Sequence, residues 1–371
     1  MAKVLRGGYT TGACAAAGVK AALLYLKGEW DADHTLPIEV RALDGTRLSI
    51  PIQSLQLTEK GVIAEVIKDA GDDPDITNGV SVFTEVVLRE DGEGIRYFAG
   101  EGIGYVTKPG LSVAVGEPSI NPGPRELIAN MVKEVLGEKA DVDVTISIPA
   151  GVELSKKTLN PTLGIVGGIS VIGTTGVLRP MSEEGFKNSL VLQIDMAKAA
   201  GYKSLIFVPG KIGERVAVSF GLPEEALVQT SNFIGFMLEA AADRDIESVL
   251  LLGHIGKLAK VAAGSFYTHN RMADGRLEAI AAYAAAEGLP AAEVKKILAA
   301  ATTEEALPVI EAQHLTYVYD ILSERASERA KRYLFGTMRV GTLMTTLQGT
   351  VLGADREAKE IGKALGWNLK F

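Results

Sequence analysis

The second half of the chain contains short, uninterrupted apolar runs that alternate with segments of helical pattern. The runs "GGISVIG", "SLIFVPG" and "ESVLLLGH" are typical of strands, and "SEEGFKNSLVLQIDMAKAAGY" and "SNFIGFMLEAAADR" are typical of helices. Strands that are apolar throughout need cover on both faces, as in parallel sheets. The alternation predicts an α/β domain over residues 156–371, with a mostly parallel sheet, a helical C-terminal portion and a last strand pair or long strand before the final helix.

Residues 1–155 have a different rhythm and predict an α+β domain. Two alternating runs flank an Asp-Gly pair, which is a strong hairpin signal, and "GVIAEVIKD", "VFTEVVLRE" and "DVDVTISIP" are further strand-like runs. One helix is expected to begin at Thr10 or Thr11, and "GPRELIANMVKEVLGE" predicts a second. We expect the seam between the two domains near Pro149–Pro161.

Composition and charge limit the classes of function. The chain has 371 residues and a net charge of -8, which argues against wholesale nucleic-acid binding because that needs a strong basic field. Cys14 is the only cysteine in the sequence, so it can form no intrachain disulfide or cysteine metal cluster. The N-terminal order of residues is wrong for a signal peptide, and the uncharged stretch 158–178 holds five glycines, which disfavours a spanning helix. A cytoplasmic protein that binds neither membrane nor nucleic acid is expected.

Two loops leave predicted strands of the parallel sheet, and ligands of such sheets bind beyond the carboxyl ends of the strands. The second loop begins with Gly253 and His254, and a capping histidine is the alternative interpretation of it. A tight packed turn is the alternative interpretation of the first loop. That first loop combines flexible backbone with hydroxyl groups, in Gly173, Thr174, Thr175 and Gly176.

The segment "KDAGDDPDITNG" places four aspartates in one loop. Its spacing fails as an EF-hand, because an asparagine stands where glycine is needed. Magnesium binding, a raised carboxylate pKa and a solvated acidic turn are the open alternatives. Asp69 directly follows a strand-like run, so we expect its backbone to be better fixed than that of Asp73 or Asp75.

The stretch 248–276 is the second dense cluster of polar residues, and surface basic groups are the alternative interpretation. Nucleotide fingerprints are mostly absent. "GHIGKLAK" lacks the spacing and hydroxyl residue of a phosphate loop, and "GEGIGYV" fails the dinucleotide pattern. Besides His254, the cluster contains Lys257, Lys260, His269, Arg271, Asp274 and Arg276.

Four blocks of the sequence together resemble the CbiD family, the cobalt-precorrin-5B C-1 methyltransferases of anaerobic cobalamin synthesis. The blocks are "RGGYTTGACAAAGVKAAL", "KDAGDDPDITNG", "GGISVIGTTGVLRPMSEE" and "GHIGKLAKVAAGSFYTHNRMADGR". They run from residue 6 to residue 276 in the order of the family, and "SINPGPRE" and "QTSNFIGFML" are similar to further family segments.

The resemblance implies methyl transfer from S-adenosylmethionine to C-1 of cobalt-precorrin-5B, which gives cobalt-precorrin-6A. Cobalt then enters only inside the tetrapyrrole substrate, and no protein metal is required. We expect the donor near the Gly173–Gly176 loop and Gly253. The candidates for a general base are Asp69, Asp72 and His254. The residues expected to bind the carboxylate-rich acceptor are Thr10, Thr11, Arg179, Lys257 and Arg271.

Two other classes of function stay open. One is a nucleotide-dependent oxidoreductase on a parallel sheet, although the missing dinucleotide glycines count against it. The other is a non-catalytic tetrapyrrole-binding module, although the density of Asp, His and Lys at predicted loop ends counts against that. Binding of S-adenosylmethionine would separate the methyltransferase from both. A homo-oligomer is also left open.

Overall fold

The computed structural model describes residues 5–30, 37–92, 94–180 and 183–370. Contacts divide the chain into two compact units, Met1–Glu183 and Glu184–Phe371. This boundary lies later than the division expected between residues 155 and 156. The reason is that short strands between residues 165 and 178 pair with strands of the first unit.

The first unit contains short and long strands and three helices within its described residues. Its helices are α1 (Thr11–Leu26), α2 (Pro122–Leu136) and α3 (Gly151–Ser155). Its strands are β1 (Gly8–Tyr9), β2 (Ile38–Arg41), β3 (Arg47–Ile50), β4 (Ser54–Leu57), β5 (Val62–Ile67), β6 (Ser81–Leu88), β7 (Ile95–Ala99), β8 (Tyr105–Val106), β9 (Val142–Ser147), β10 (Ile165–Val166) and β11 (Val177–Leu178).

A five-stranded sheet in the order β4-β5-β6-β9-β7 supports this unit. Its pairs are antiparallel except β7 with β9, and the predicted hairpin is confirmed as the antiparallel pair β2–β3. Helix α1 packs on β5 and β6 and beside α2. A side chain at Gly18 would lie 2.8 Å from Oγ1 of Thr84, so glycine lets the helix approach the sheet closely. The α+β prediction is confirmed.

The run "GGISVIG" was expected to be a buried strand of the parallel sheet, and that expectation is wrong. Ile169 and Val171 form isolated bridges to Ile103 and Ile120 in the first unit. The glycines explain the difference, because they let the backbone of this run approach the backbone of the first unit closely instead of pairing along a regular strand. A Cβ on Gly168 would lie 2.1 Å from the carbonyl oxygen of Gly102.

The second unit contains a sheet with helices on its faces. Its strands are β12 (Ser204–Val208), β13 (Leu227–Gln229), β14 (Ser248–His254), β15 (Arg339–Thr345) and β16 (Val351–Ala354). Its helices are α4 (Glu183–Ala199), α5 (Lys211–Ser219), α6 (Ile234–Ala242), α7 (Ile255–Ala262), α8 (Arg276–Ala286), α9 (Ala291–Ala299), α10 (Thr303–Ala312), α11 (Val318–Tyr333) and α12 (Arg356–Ala364).

This sheet has the order β13-β12-β14-β15-β16, and only the last pair is antiparallel. Alternate strand residues such as Ile206 and Leu250 pack against α5 and α12. Helix α7 contacts β14 and β15, and α11 contacts β15 and β16. The chain leaves β12 toward β13 and leaves β14 toward β15, so the connections diverge between β12 and β14. A parallel sheet binds ligands at such a point, beyond the carboxyl ends of its strands. The α/β prediction is confirmed.

No helix in the described part of the chain is long and apolar enough to cross a bilayer.

Candidate functional site

The Gly173–Gly176 loop lies over the N-terminus of α1, in the first unit. Thr10 caps the helix, since its Oγ1 accepts a hydrogen bond from the amide of Ala13 at 3.2 Å, and its own amide donates to the Gly176 carbonyl at 3.0 Å. Gly173 has φ +140, and a Cβ there would lie 2.3 Å from Oγ1 of Thr10. Only glycine fits this contact, so the loop is tightly held.

Thr11 holds the other end of this loop. Its Oγ1 accepts from the amide of Ile172 at 3.0 Å and lies 3.2 Å from the carbonyl of the same residue. Thr10 and Thr11 are both buried. The structure thus brings these two residues and the loop together, but both hydroxyls already have partners inside the protein. Their geometry favours holding the loop over contacting a substrate.

Thr174, Thr175 and Arg179 lie on the outer side of the same loop region. Thr174 is exposed, and Oγ1 of Thr175 accepts from the amide of Val177 at 3.3 Å. Arg179 is exposed and reaches the carboxylate of Asp44 at 3.3 Å. The loop follows no strand of the parallel sheet, so the expectation that it shares a sheet edge with Gly253 is wrong.

The acidic loop is organised by two cations. Arg6 binds the Asp69 carboxylate through both terminal guanidinium nitrogens, with 2.8 Å between Nη2 and Oδ1. The hydrogen bond from Arg6 lowers the pKa of Asp69, despite its partial burial. The amide of Arg6 donates to Oδ2 of Asp72 at 2.9 Å, and the amide of Asp72 donates to the carbonyl oxygen of Arg6 at 2.9 Å. A carboxylate with a lowered pKa is a poor general base, so this geometry weakens the case for Asp69.

The other cation is Lys68, which is buried and bonds Oδ2 of Asp75 at 2.9 Å. Burial opposes ionisation of Asp75, but hydrogen bonds from Thr77 and Lys68 outweigh it and lower the pKa of Asp75. The alternatives of a raised pKa and of a solvated turn therefore do not hold for Asp75. Asp75 is the more buried of the two carboxylates and has the more buried partner. Within the described ranges, no group of three or more His, Cys, Asp or Glu side chains could hold a metal ion.

The carboxyl edge of the parallel sheet is the candidate site in the second unit. His254 ends β14 and caps α7, because its Nδ1 accepts from the amide of Gly256 at 3.1 Å. Since Nδ1 is an acceptor, the proton of the neutral ring is on Nε2, which lies 2.9 Å from Oε1 of Glu304. The same oxygen accepts from the amide of Leu347 at 2.9 Å. Both ring nitrogens are therefore engaged, which favours a positioning role for His254.

Gly253 brings two exit loops together, because a Cβ there would lie 2.9 Å from Cδ of Pro209 in the loop after β12. Opposite His254 in register stands Thr345, at the carboxyl end of β15. Thr345 is fully buried, and its Oγ1 has no hydrogen-bond partner among the described residues. A buried hydroxyl without a partner costs free energy unless water or a ligand bonds to it.

Two lysines of α7 bind the segment that follows the helix. Lys257 is half-buried, and its Nζ donates to Oδ1 of Asn232 and, at 3.4 Å, to the carbonyl of Thr268. Lys260 is fully buried, and its Nζ donates to the same carbonyl at 3.2 Å and to Oδ1 of Asn270 at 2.6 Å. Burial lowers the pKa of both lysines, and for Lys257 the neighbouring charge of Lys260 adds to the effect.

Some residues at this edge carry no clear sequence signal. Glu304 belongs to the first turn of a helix fifty residues after His254, where it looks like an ordinary N-terminal acid. Thr345 lies in an apolar strand. Asn232 could have been found, because it follows a short strand of the same sheet and lies within "QTSNFIGFML". Arg271 is exposed, as expected of a substrate-binding candidate, and His269 is exposed as well.

A mostly parallel sheet with polar side chains gathered at its carboxyl edge is typical of ligand-binding α/β domains. The CbiD family model matches residues 1–180, and the model described as "CbiD, C-terminal domain" matches residues 267–356. The chain belongs to the CbiD family, as its sequence blocks indicated.

Relatives of known name match nearly the whole chain. A cobalt-precorrin-5B C(1)-methyltransferase from Moorella thermoacetica is 47% identical over 97% of this chain and 98% of the relative. The protein of the same name from Methanocaldococcus jannaschii is 45% identical over 94% of this chain and 95% of its own length. A solved structure of the cobalamin biosynthesis protein CbiD from Archaeoglobus fulgidus is 25% identical, with a TM-score of 0.37, and covers 73% of this chain and 84% of its own.

Proposed function

We propose that this protein transfers the methyl group of S-adenosylmethionine to C-1 of cobalt-precorrin-5B, giving cobalt-precorrin-6A. The observation that carries the proposal is the 47% identity, over 97% of the chain, to a relative named for this reaction. Both units lie within the aligned length. A cytoplasmic location, a homo-oligomer and the absence of nucleic-acid binding stay predictions.

Such a reaction depends on positioning, because the acceptor carbon must approach in line with the bond from sulfur to methyl. When bound, S-adenosylmethionine supplies an electrophilic methyl group and leaves as S-adenosylhomocysteine. A carbon–carbon bond forms at C-1, and the macrocycle releases a proton to water or to a base. The protein has to bind both molecules, orient them and exclude water from the methyl group.

The carboxyl edge of β14 and β15 suits the methyl donor. Gly253 lets the exit loops approach closely, and Thr345 offers a fully buried hydroxyl that lacks a partner among the described residues. The donor carries an ammonium group and ribose hydroxyls, which can bond such an oxygen. His254 and Glu304 would hold the loops around it. A donor contact by the Gly173–Gly176 loop stays a separate prediction.

Cations in the same unit suit the acceptor, which is rich in acetate and propionate groups. Arg271 is exposed and Lys257 is half-buried close to the sheet edge. Charged nitrogens bond carboxylates more strongly than neutral donors do. In the first unit, Arg179 is exposed and offers a guanidinium group to the same kind of partner. A base role stays a prediction for Asp72, Asp69 and His254, of which Asp69 and His254 already have strong partners.

The reaction is tested by anaerobic turnover with cobalt-precorrin-5B and S-adenosylmethionine carrying a labelled methyl group. We expect the product to gain the mass of one labelled methyl group and to yield S-adenosylhomocysteine in equal amount. Reactions without the donor, or with heat-treated protein, are the controls. If folded protein that binds both reactants produces no methylated macrocycle, the proposed function is wrong.

The donor site is tested by Thr345→Val, which keeps the shape of the side chain and removes the hydroxyl. Calorimetry with S-adenosylhomocysteine should show affinity reduced by about 0.5–1.5 kcal/mol, the worth of one hydrogen bond. Thr342→Val is the matched control on the same strand, because the Thr342 hydroxyl is already bonded to Ser327 at 2.9 Å. The control should lose stability and keep its affinity. Equal affinity in all three proteins would place the donor elsewhere.

A further inference from the structure

A row of four aromatic rings lies in the second unit beside the sheet edge. Phe186 contacts Phe233 with ring centroids 6.0 Å apart, and Phe233 contacts Tyr267 at 5.0 Å. Tyr267 in turn contacts the ring of His269 at 6.4 Å. The two ends of the row are open to solvent, since Phe186 is 49% exposed and His269 is also exposed. Aromatic side chains that only stabilise a fold are usually buried, so exposed rings at both ends of the row suggest a binding surface.

Three separate segments build this row. Phe186 comes from the first turn of α4, and Phe233 follows β13 at the start of α6. Tyr267 and His269 belong to the segment after α7, and Tyr267 forms a β-bridge with Phe233. Backbone hydrogen bonds join this segment to the turn that follows β13, including one from the Thr268 amide to the Asn232 carbonyl at 2.9 Å. The row is therefore fixed to the carboxyl edge of the sheet.

Cations lie along the row. The Lys187 ammonium stands 5.0 Å from the centroid of the Phe233 ring and 5.7 Å from that of Phe236. Arg271, two residues after His269, is exposed. An apolar aromatic row flanked by a lysine and an arginine matches a flat, conjugated ligand with carboxylates at its rim. Glu183 and Glu184 precede Phe186, so the region is not uniformly basic, and an anion without an aromatic face has less to gain here.

We infer that the row Phe186–Phe233–Tyr267–His269, with Lys187 and Arg271, is the surface on which the tetrapyrrole macrocycle docks. The inference rests on the proposed function for the identity of the ligand. Phe186 and His269 would contact the ring face, Lys187 and Arg271 would bond the acetate and propionate groups, and the buried Phe233 would support Phe186 from behind. Phe186 thereby becomes a substrate-binding residue, although the helix that carries it shows no such signal in the sequence.

The test measures binding of cobalt(III) uroporphyrin, a flat cobalt tetrapyrrole with acetate and propionate groups, by its absorbance change without any methyl donor. Phe186→Ala should weaken binding about 2- to 10-fold, the range of one aromatic pair, and Phe186→Trp should restore it. Lys187→Met should weaken binding at low salt and reduce the dependence of affinity on salt. Phe335→Ala is the matched control, because Phe335 is 95% exposed in the same unit and lies outside the row.

Wild-type affinity in Phe186→Ala would overturn the inference, and so would an equal loss in Phe186→Ala and Phe335→Ala, which would indicate unspecific adsorption. Melting temperatures of all variants check that they fold. Failure of the inference differs from failure of the proposed function. A protein that methylates cobalt-precorrin-5B with an unchanged acceptor KM in Phe186→Ala contradicts only the docking surface. A protein that binds the tetrapyrrole through Phe186 and transfers no methyl group contradicts only the reaction.

Discussion

Lys68 in the first unit and Lys260 in the second are both buried, but their ammonium groups meet different partners. Lys68 bonds the Asp75 carboxylate at 2.9 Å, so a full negative charge lies beside it. Lys260 bonds two neutral oxygens, those of Thr268 and Asn270, and its nearest carboxylate, that of Asp274, is 3.8 Å away. The first lysine is a member of a short ion pair, while the second is held mainly by dipoles.

The partners of the two buried lysines differ between the acidic loop of the first unit and the candidate site of the second. A buried ion pair with additional hydrogen bonds is balanced, and the Asp75–Lys68 pair fixes the acidic loop. A buried ammonium held by neutral groups shifts its pKa downward, as burial does for Lys260. Perturbed groups of that kind gather at functional sites. The comparison favours a structural role for the Asp75 carboxylate in the acidic loop.

The largest effect is expected from Asp75→Asn, which leaves the Lys68 ammonium buried without its counter-charge. Removing one partner of a buried pair should lower the free energy of unfolding by about 3 kcal/mol, measured by urea denaturation at pH 7. The double variant with Lys68→Met should recover much of the loss. Because the folded pKa of Asp75 is lowered, its contribution is present above the unfolded value of about 3.9 and is lost as pH falls through the folded pKa. The gap to wild type should therefore narrow in acid, and a constant gap would contradict the ion pair.

Lys260→Met should lower the free energy of unfolding by a smaller amount, about 1–2 kcal/mol at neutral pH. The variant leaves Oδ1 of Asn270 without the Lys260 donor and the Thr268 carbonyl with only the longer bond from Lys257, and removal of a buried charge offsets part of this loss. The pKa of Lys260 is lowered in the folded protein, so its desolvation cost is fully present below that pKa. The cost disappears as pH rises toward the unfolded value of about 10.4. Wild type should therefore gain stability over Lys260→Met between neutral pH and about pH 10. Thermal unfolding at several pH values measures the gap, and a gap that narrows would mean that Lys260 is better neutralised than its contacts indicate.

Much of the fold was readable from local patterns. Apolar runs such as "ESVLLLGH" and the Asp-Gly hairpin were assigned correctly, because burial on two faces and turn chemistry both act over a few residues. The run "GGISVIG" was misread, since its apolar content is that of a strand while its glycines serve contacts with residues far away in sequence. Distant packing of that kind leaves no local signal.

The candidate site was less predictable, because its decisive contacts join distant residues. The exit of β14 was found through the rule for parallel sheets, but Glu304 and Thr345 acquire their importance only from the fold. The acidic loop shows the reverse case. Its four aspartates stood out in the sequence, yet Arg6 and Lys68 engage three of them in ways that no spacing rule reveals.

His254 tests whether a histidine at the sheet edge caps a helix or serves as a base. His254→Ala should lower stability by about 1 kcal/mol, the usual cost of losing an N-cap, whereas His254→Asn keeps an acceptor for the Gly256 amide and should stay close to wild type. Turnover at saturating reactants should fall less than about 10-fold in His254→Asn, because the cap is kept and no base is removed. A loss above about 100-fold in a stable His254→Asn protein would restore the catalytic role.

Asp69→Asn should give the smallest change, and it bears most directly on the acidic loop. The Asp69–Arg6 pair is exposed on both sides, so its loss should cost less than about 1 kcal/mol of stability. Arg6 also lowers the pKa of Asp69, which makes the carboxylate a weak acceptor of protons. We therefore expect single-turnover methylation at saturating donor and acceptor to fall only a few-fold. Asp75→Asn, studied below its melting temperature, is the matched control for damage to the loop. If Asp69→Asn abolishes methyl transfer while Asp75→Asn leaves it intact, the loop supplies the base after all, and the Arg6 contact must open during the reaction.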